Sequence, residues 1–116
     1  MTQTITSENI NQYLDKNGYL TDINLWNENI AKILAGMNNI ELSDDHYIIL
    51  NTIRNFYLEF KTYPILRVFI KKLKLDKKLD ENKCNSLYLN QLLGETPIPT
   101  AGKLAGLPKS KKCIKF

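Results

Sequence analysis

The sequence predicts a mainly α-helical domain with a small N-terminal β-hairpin and a flexible C-terminal arm. Three observations lead there. Apolar residues recur at helical spacing through the middle of the chain, Asn17-Gly18 is the one strong hairpin signal, and prolines and glycines punctuate the chain from Thr96 onward. With 116 residues, 43% of them hydrophobic, the chain fits a single domain around one core. That domain is expected over residues 1–105, with residues 106–116 as the arm.

Residues 3–20 alternate polar and apolar positions, and Asn17-Gly18 lies between Tyr13-Leu14 and Tyr19-Leu20. Both turn residues tolerate positive φ, so the hairpin is placed at about 3–20. Trp26, Ile30, Ile33, Leu34 and Met37 then mark an amphipathic helix over about 23–37. Ser43 suits the N-cap of the next, with Asp44 and Asp45 in its first turn. Its stripe of Tyr47, Leu50, Ile53, Phe56, Tyr57 and Phe60 reads as core and carries the helix to about 60. Pro64 opens a third helix, about 64–73, turning Ile65, Val68, Phe69 and Leu73 inward and Lys71, Lys72 and Lys74 to solvent. A charged, exposed connector follows. Asn85 caps a helix over about 85–93, which Gly94 stops, and one more short helix fits 98–105. Beyond Gly106 the chain reads as mobile or loosely docked.

Charge is unevenly spread. Residues 1–60 hold 3 Lys/Arg against 8 Asp/Glu, whereas residues 61–116 hold 13 against 4. Such polarity can steer an acidic partner or RNA toward the C-terminal half, or simply solvate helix faces. Residues 1–12 lack the basic start and apolar run of a signal peptide, and no apolar stretch approaches the ~20 residues that span a bilayer. A cytoplasmic protein without a membrane partner is therefore expected.

The chemical repertoire is narrow. Two distant cysteines and a single histidine make neither a disulfide scaffold nor a zinc site, so no metal is expected. The glycines within residues 101–106 lack the strand and long helix of a phosphate-binding loop, and no cofactor is implied. His46, beside Asp44 and Asp45, reads as a capping or surface residue rather than a catalytic base. The pairs Asp44/Asp45 and Asp80/Glu81 read as capping and solvated carboxylates.

That leaves the thiols. Cys84, where the connector meets a helix start, has only Lys83 beside it and reads as incidental. Cys113 sits near the chain end among Lys109, Lys111, Lys112 and Lys115. The thiolate is the reactive form, and nearby positive charge lowers a cysteine pKa from about 8.5. A drop of about one unit raises the thiolate fraction at pH 7 from about 3% to about 25%. The stretch from Gly106 to Cys113, fully extended, spans roughly 27 Å, enough to enter another protein's pocket. On composition alone, a basic tail with an accidental cysteine fits the same residues.

Two segments carry a family resemblance. Ala105-Gly106-Leu107-Pro108-Lys109, followed by Cys113-Ile114, resembles the C-terminal arm of the DsrC/TusE family. So does Arg54-x-Phe56-Tyr57-x-Glu59-Phe60-x-x-x-Pro64-x-x-Arg67, supported by Asn17-Gly18-Tyr19-Leu20, Trp26, Asp45-His46 and Asn85-Ser86-x-Tyr88-Leu89. The resemblance implies a DsrC-like helical fold with an N-terminal hairpin and a flexible arm whose terminal cysteine, here Cys113, accepts sulfur. One branch has a second arm cysteine and works with dissimilatory sulfite reductase. Gly102 stands at that position here, so the sequence is similar to the TusE branch of persulfide-carrying sulfurtransferases.

For that branch the implied partners are a TusBCD-type donor complex and a tRNA 2-thiouridylase, with tRNA bound to it, that modifies the wobble uridine. Lys109, Lys111 and Lys112 would favour the anionic forms of Cys113, and Arg67 and Lys103 would dock the arm. Two departures stand out: the family's cysteine is typically penultimate, whereas here Lys115 and Phe116 extend the chain beyond Ile114, and Ser110 replaces a customary proline. Two alternatives stay open: a DsrC-like partner of a sulfite reductase, and a helix-turn-helix nucleic-acid module using Arg67, Lys71 and Lys72 on its second helix.

Overall fold

Most of the α-helices begin where the sequence supplies an acceptor for amides that have no partner within the helix, or a proline that lacks such an amide. The computed structural model describes residues 6 and 8–108. Helix α1 (Glu28–Met37) starts at Asn27, whose side chain accepts from Ile30 N at 2.9 Å. Helix α2 (Asp44–Phe60) starts after Ser43, α3 (Leu66–Asp76) follows Pro64, and α4 (Ser86–Leu93) is capped by Asn85, which accepts from Tyr88 N at 2.8 Å. Helix α5 (Pro97–Leu104) carries Pro97 in its first turn. The first predicted helix is shorter than the 23–37 expected. Asp22 and Asn27 both cap, so Ile23–Leu25 forms a separate 3-10 turn and Trp26 is extended between them.

The expected N-terminal β-hairpin is not found: the described residues contain no β-strand. Gly18 does turn the chain, at φ +85°, but pairing stops at a single antiparallel bridge between Leu14 and Leu20. The Asp15 carboxylate accepts from the amides of Asn17 (2.8 Å) and Tyr19 (3.0 Å), which tightens the loop and withdraws donors from any ladder. Ahead of it, Ile10–Tyr13 coil into a 3-10 helix that buries Ile10.

Helix α5 lies at the centre, packed on α1, α2 and α4. Its small residues Ala101 and Gly102, with Ala105 just beyond, admit close neighbours, and Leu104 and Leu107 are fully buried. Around them sit Leu34, Ile49, Leu50, Ile53 and Leu89, each worth about 1.5–3 kcal/mol of burial. Helix α3 packs chiefly on α2, burying Phe69 and Leu73 fully and Leu66 and Ile70 in part. Ile65 and Val68, expected inward, are 60% and 40% exposed, and Phe60 of the supposed core stripe is 54% exposed. Phe60 closes the last turn of α2, and Ile65 and Val68 lie at the start of α3, where little of the described chain covers them. No helix among the described residues is long and apolar enough to cross a membrane.

The start of α2 is fastened to α4 twice. Buried His46 uses both ring nitrogens, Nδ1 accepting from Ser43 N at 3.0 Å and Nε2 meeting Leu92 O at 3.0 Å, so it is a structural staple rather than a surface residue. Asp45 accepts a hydrogen bond from Tyr88 and pairs with Lys83 at 3.3 Å.

The Tyr88 hydrogen bond, aided by Lys83, holds the Asp45 carboxyl below its ordinary value, while Asp45 pushes the Tyr88 phenol up to about 12. Both shifts stabilise the fold near neutrality. Asp45's contribution is complete above its ordinary value of 3.8 and is lost as pH falls through that value and below. Tyr88's is complete below 10.0 and is lost as pH rises toward about 12. Urea denaturation across pH should show a flatter acid limb for Asp45→Asn and a flatter alkaline limb for Tyr88→Phe than for the wild type.

Candidate functional site: the neck of the C-terminal arm

The chain leaves α5 through a defined stop. Gly106 adopts φ +77°, its amide donates to Lys103 O at 3.2 Å, and Leu107 N donates to Gly102 O at 2.9 Å. This is a Schellman ending, with buried Leu107 as its hydrophobic contact. Only glycine fits at 106. Besides the positive φ, a Cβ there would lie 2.6 Å from Trp26 Cδ1.

The remaining carbonyls of this helix end are met by side chains from elsewhere. Trp26 Nε1 donates to Leu104 O at 2.8 Å. Arg54 Nη1 donates to Ala105 O at 2.9 Å, and its Nη2 to Ile23 O at 2.7 Å. The guanidinium lies 4.8 Å from the centre of the Trp26 ring. A cation at a helix C-terminus also favours the macrodipole. Burial pulls the Arg54 pKa below its ordinary value. Further out, the Tyr63 hydroxyl donates to Pro108 O at 2.7 Å. Gly106, Leu107 and Pro108, expected to be mobile or loosely docked, are therefore packed and bonded.

The residues singled out in the sequence are distributed as follows. Cys113, Lys109, Lys111 and Lys112 lie outside the described residues. Lys103 sits 5.5 Å from the Tyr19 ring and against Gly18, tying α5 to the N-terminal turn. Arg67 is exposed on α3, and among the described residues no hydrogen bond joins it to the neck. Cys84, expected at an exposed junction, is buried at 2% exposure with Sγ 3.5 Å from Asp80 O. Desolvation pushes its thiol pKa up, which disfavours the nucleophilic form. The neck is held instead by Trp26, Arg54 and Tyr63. Arg54 carried a signal that could have been weighed, since a cation between Ile53 and Tyr57 interrupts an apolar stripe. Tyr63 carried none.

Fold and neck together define a helical scaffold whose C-terminal segment is rooted in its core. A family model described as "DsrC like protein" matches residues 6–114, a span that includes Cys113. The chain belongs to this family. A sulfurtransferase TusE homolog from Haemophilus influenzae is 43% identical over 100 residues, covering 86% of this chain and 90% of that protein. Sulfurtransferase TusE of Escherichia coli is 41% identical with the same coverage. Among solved structures, DsrC of Allochromatium vinosum aligns with a TM-score of 0.74 at 38% identity, covering 87% of this chain and 88% of that one. The oxidised sulfite reductase γ-subunit (DsrC) of Archaeoglobus fulgidus aligns with a TM-score of 0.75 at 31% identity, over 87% and 90% of the two chains.

Two outcomes test this geometry. Gly106→Ala meets strain and the Trp26 ring together and should lower stability by about 1–3 kcal/mol, read by urea denaturation. In a Cys113→Ser background, a thiol reagent should modify Cys84 only as fast as the native protein opens, and completely once urea unfolds it.

Proposed function

We propose that the protein is a sulfurtransferase that carries sulfane sulfur as a persulfide on Cys113 and passes it along a relay ending in 2-thiolation of the tRNA wobble uridine. The observation that carries this reading is the family match through residue 114, with relatives about 42% identical named sulfurtransferase TusE. In the loading step the Cys113 thiolate attacks the outer sulfur of a donor persulfide. The donor leaves as a thiolate and Cys113 gains an S–S bond, with no net change in oxidation level. Unloading repeats the exchange on an acceptor thiol or activated centre, and Cys113 leaves as thiolate. Lys109, Lys111 and Lys112 stabilise the anion at each stage. The donor is a TusBCD-type complex and the acceptor a tRNA 2-thiouridylase, which sets the relay in the cytoplasm.

The neck suits this role. Because Pro108 is tethered, Cys113 is the fifth residue past the anchor, a reach of roughly 17 Å, shorter than that of an arm free from Gly106. The sulfite-reductase reading has less support. A two-cysteine arm needs a side chain at position 102, and the Tyr63 ring occupies that space.

Mass spectrometry after incubation with a persulfide donor should show a 32-Da gain on the wild type and on Cys84→Ser, and none on Cys113→Ser (mass of one added sulfur, roughly 32). A wild type that gains no sulfur from its donor complex would sink the carrier reading.

A further inference from the structure

Tyr63 stands at an unspecified position of the Arg54 to Arg67 motif, yet its phenol is placed by three contacts. The hydroxyl donates to Pro108 O at 2.7 Å. The ring meets Tyr57 edge-on, centroids 5.7 Å apart. On its other side lies Gly102, where an added Cβ would fall onto ring atom Cε2 and the hydroxyl, and 2.6 Å from Cζ. Burial pushes the phenol pKa well up, so the hydroxyl stays a donor at physiological pH. Gly102 itself lies inside α5 without a positive φ, so the turn does not require glycine there. Its conformational freedom is a liability in a helix; the absence of a side chain is what the site uses.

We infer that Tyr63 is the positioning residue that fixes where the sulfur-carrying arm leaves the body, and that position 102 is bare in order to admit its ring. The inference rests on the carrier reading for its functional consequence, but its structural half stands alone. With Pro108 held, the arm starts from one point and one direction on every encounter with a partner. Less conformational freedom remains to be lost when it enters a partner's site. Direct reaction of Cys113 with a small thiol needs no such orientation.

Three variants of the full chain test this: Tyr63→Phe, Gly102→Ala, and Gly102→Ala combined with Tyr63→Ser. Tyr63→Phe should keep the fold, shift the Pro108 carbonyl ¹³C resonance, and raise the KM for the acceptor enzyme roughly three- to tenfold, the factor matching one hydrogen bond. Its persulfide should still be discharged by dithiothreitol at the wild-type rate. Gly102→Ala should reverse the usual sign of a glycine-to-alanine change in a helix, lowering the melting temperature while Tyr63 is present. In the Tyr63→Ser background the same change should raise it.

An unshifted Pro108 resonance in Tyr63→Phe, or a Gly102→Ala protein stabilised with Tyr63 in place, overturns the assignment. An unchanged KM with a shifted resonance leaves the grip real and refutes its role in delivery. If Cys113 never takes up sulfur, the carrier reading fails, while the resonance and melting measurements still decide whether Tyr63 holds the arm.

Discussion

The contact on which the rest depends is the Arg54 guanidinium, which bridges the carbonyls of Ile23 and Ala105 beneath the Trp26 ring. Helix α5 ends inside the protein instead of at its surface, so its last carbonyls cannot turn to water. An unsatisfied buried acceptor costs about 1–3 kcal/mol. Arg54 and Trp26 meet two of these acceptors, and the Schellman amides of Gly106 and Leu107 meet two more. A lysine could not replace Arg54, because its single ammonium lacks the planar fork that reaches two carbonyls while stacking on an indole.

That arrangement explains why the helix before the arm is the most central one. A tail hung from a peripheral helix would pull on a part of the fold that frays easily. Here the neck continues α5, which touches α1, α2 and α4 at once.

Much of this was legible in the sequence, and the exceptions share a cause. Caps at Ser43 and Asn85 are local signals, and they placed α2 and α4 closely, whereas the cap at Asn27 was not read and α1 was started too early. The hairpin failed because its Asn-Gly turn was real but the flanking strands were not: Asp15 took amides that a ladder would have used. Ile65, Val68 and Phe60 were misassigned because periodicity shows which residues share a face, not whether another element covers it. His46 and Cys84 looked exposed from their neighbours in sequence, yet both are buried by residues 46 and 5 positions away. Tyr63 was invisible for the same reason. Its partners, Gly102 and Pro108, lie about 40 residues further on, and the clue at Gly102 was a missing side chain.

The burial of Cys84 has a bearing on how long a loaded sulfur survives. A persulfide beside a free thiolate is unstable: attack on its inner sulfur expels hydrosulfide and leaves a disulfide. The only other thiol in this chain is enclosed behind Leu79 and Asp80 and kept protonated by its apolar surroundings. Burial thus withdraws Cys84 from attack on a persulfide. The lifetime of the loaded form is set by what it meets in solution, and a second sulfur atom that packs the core is kept out of the chemistry by being kept dry.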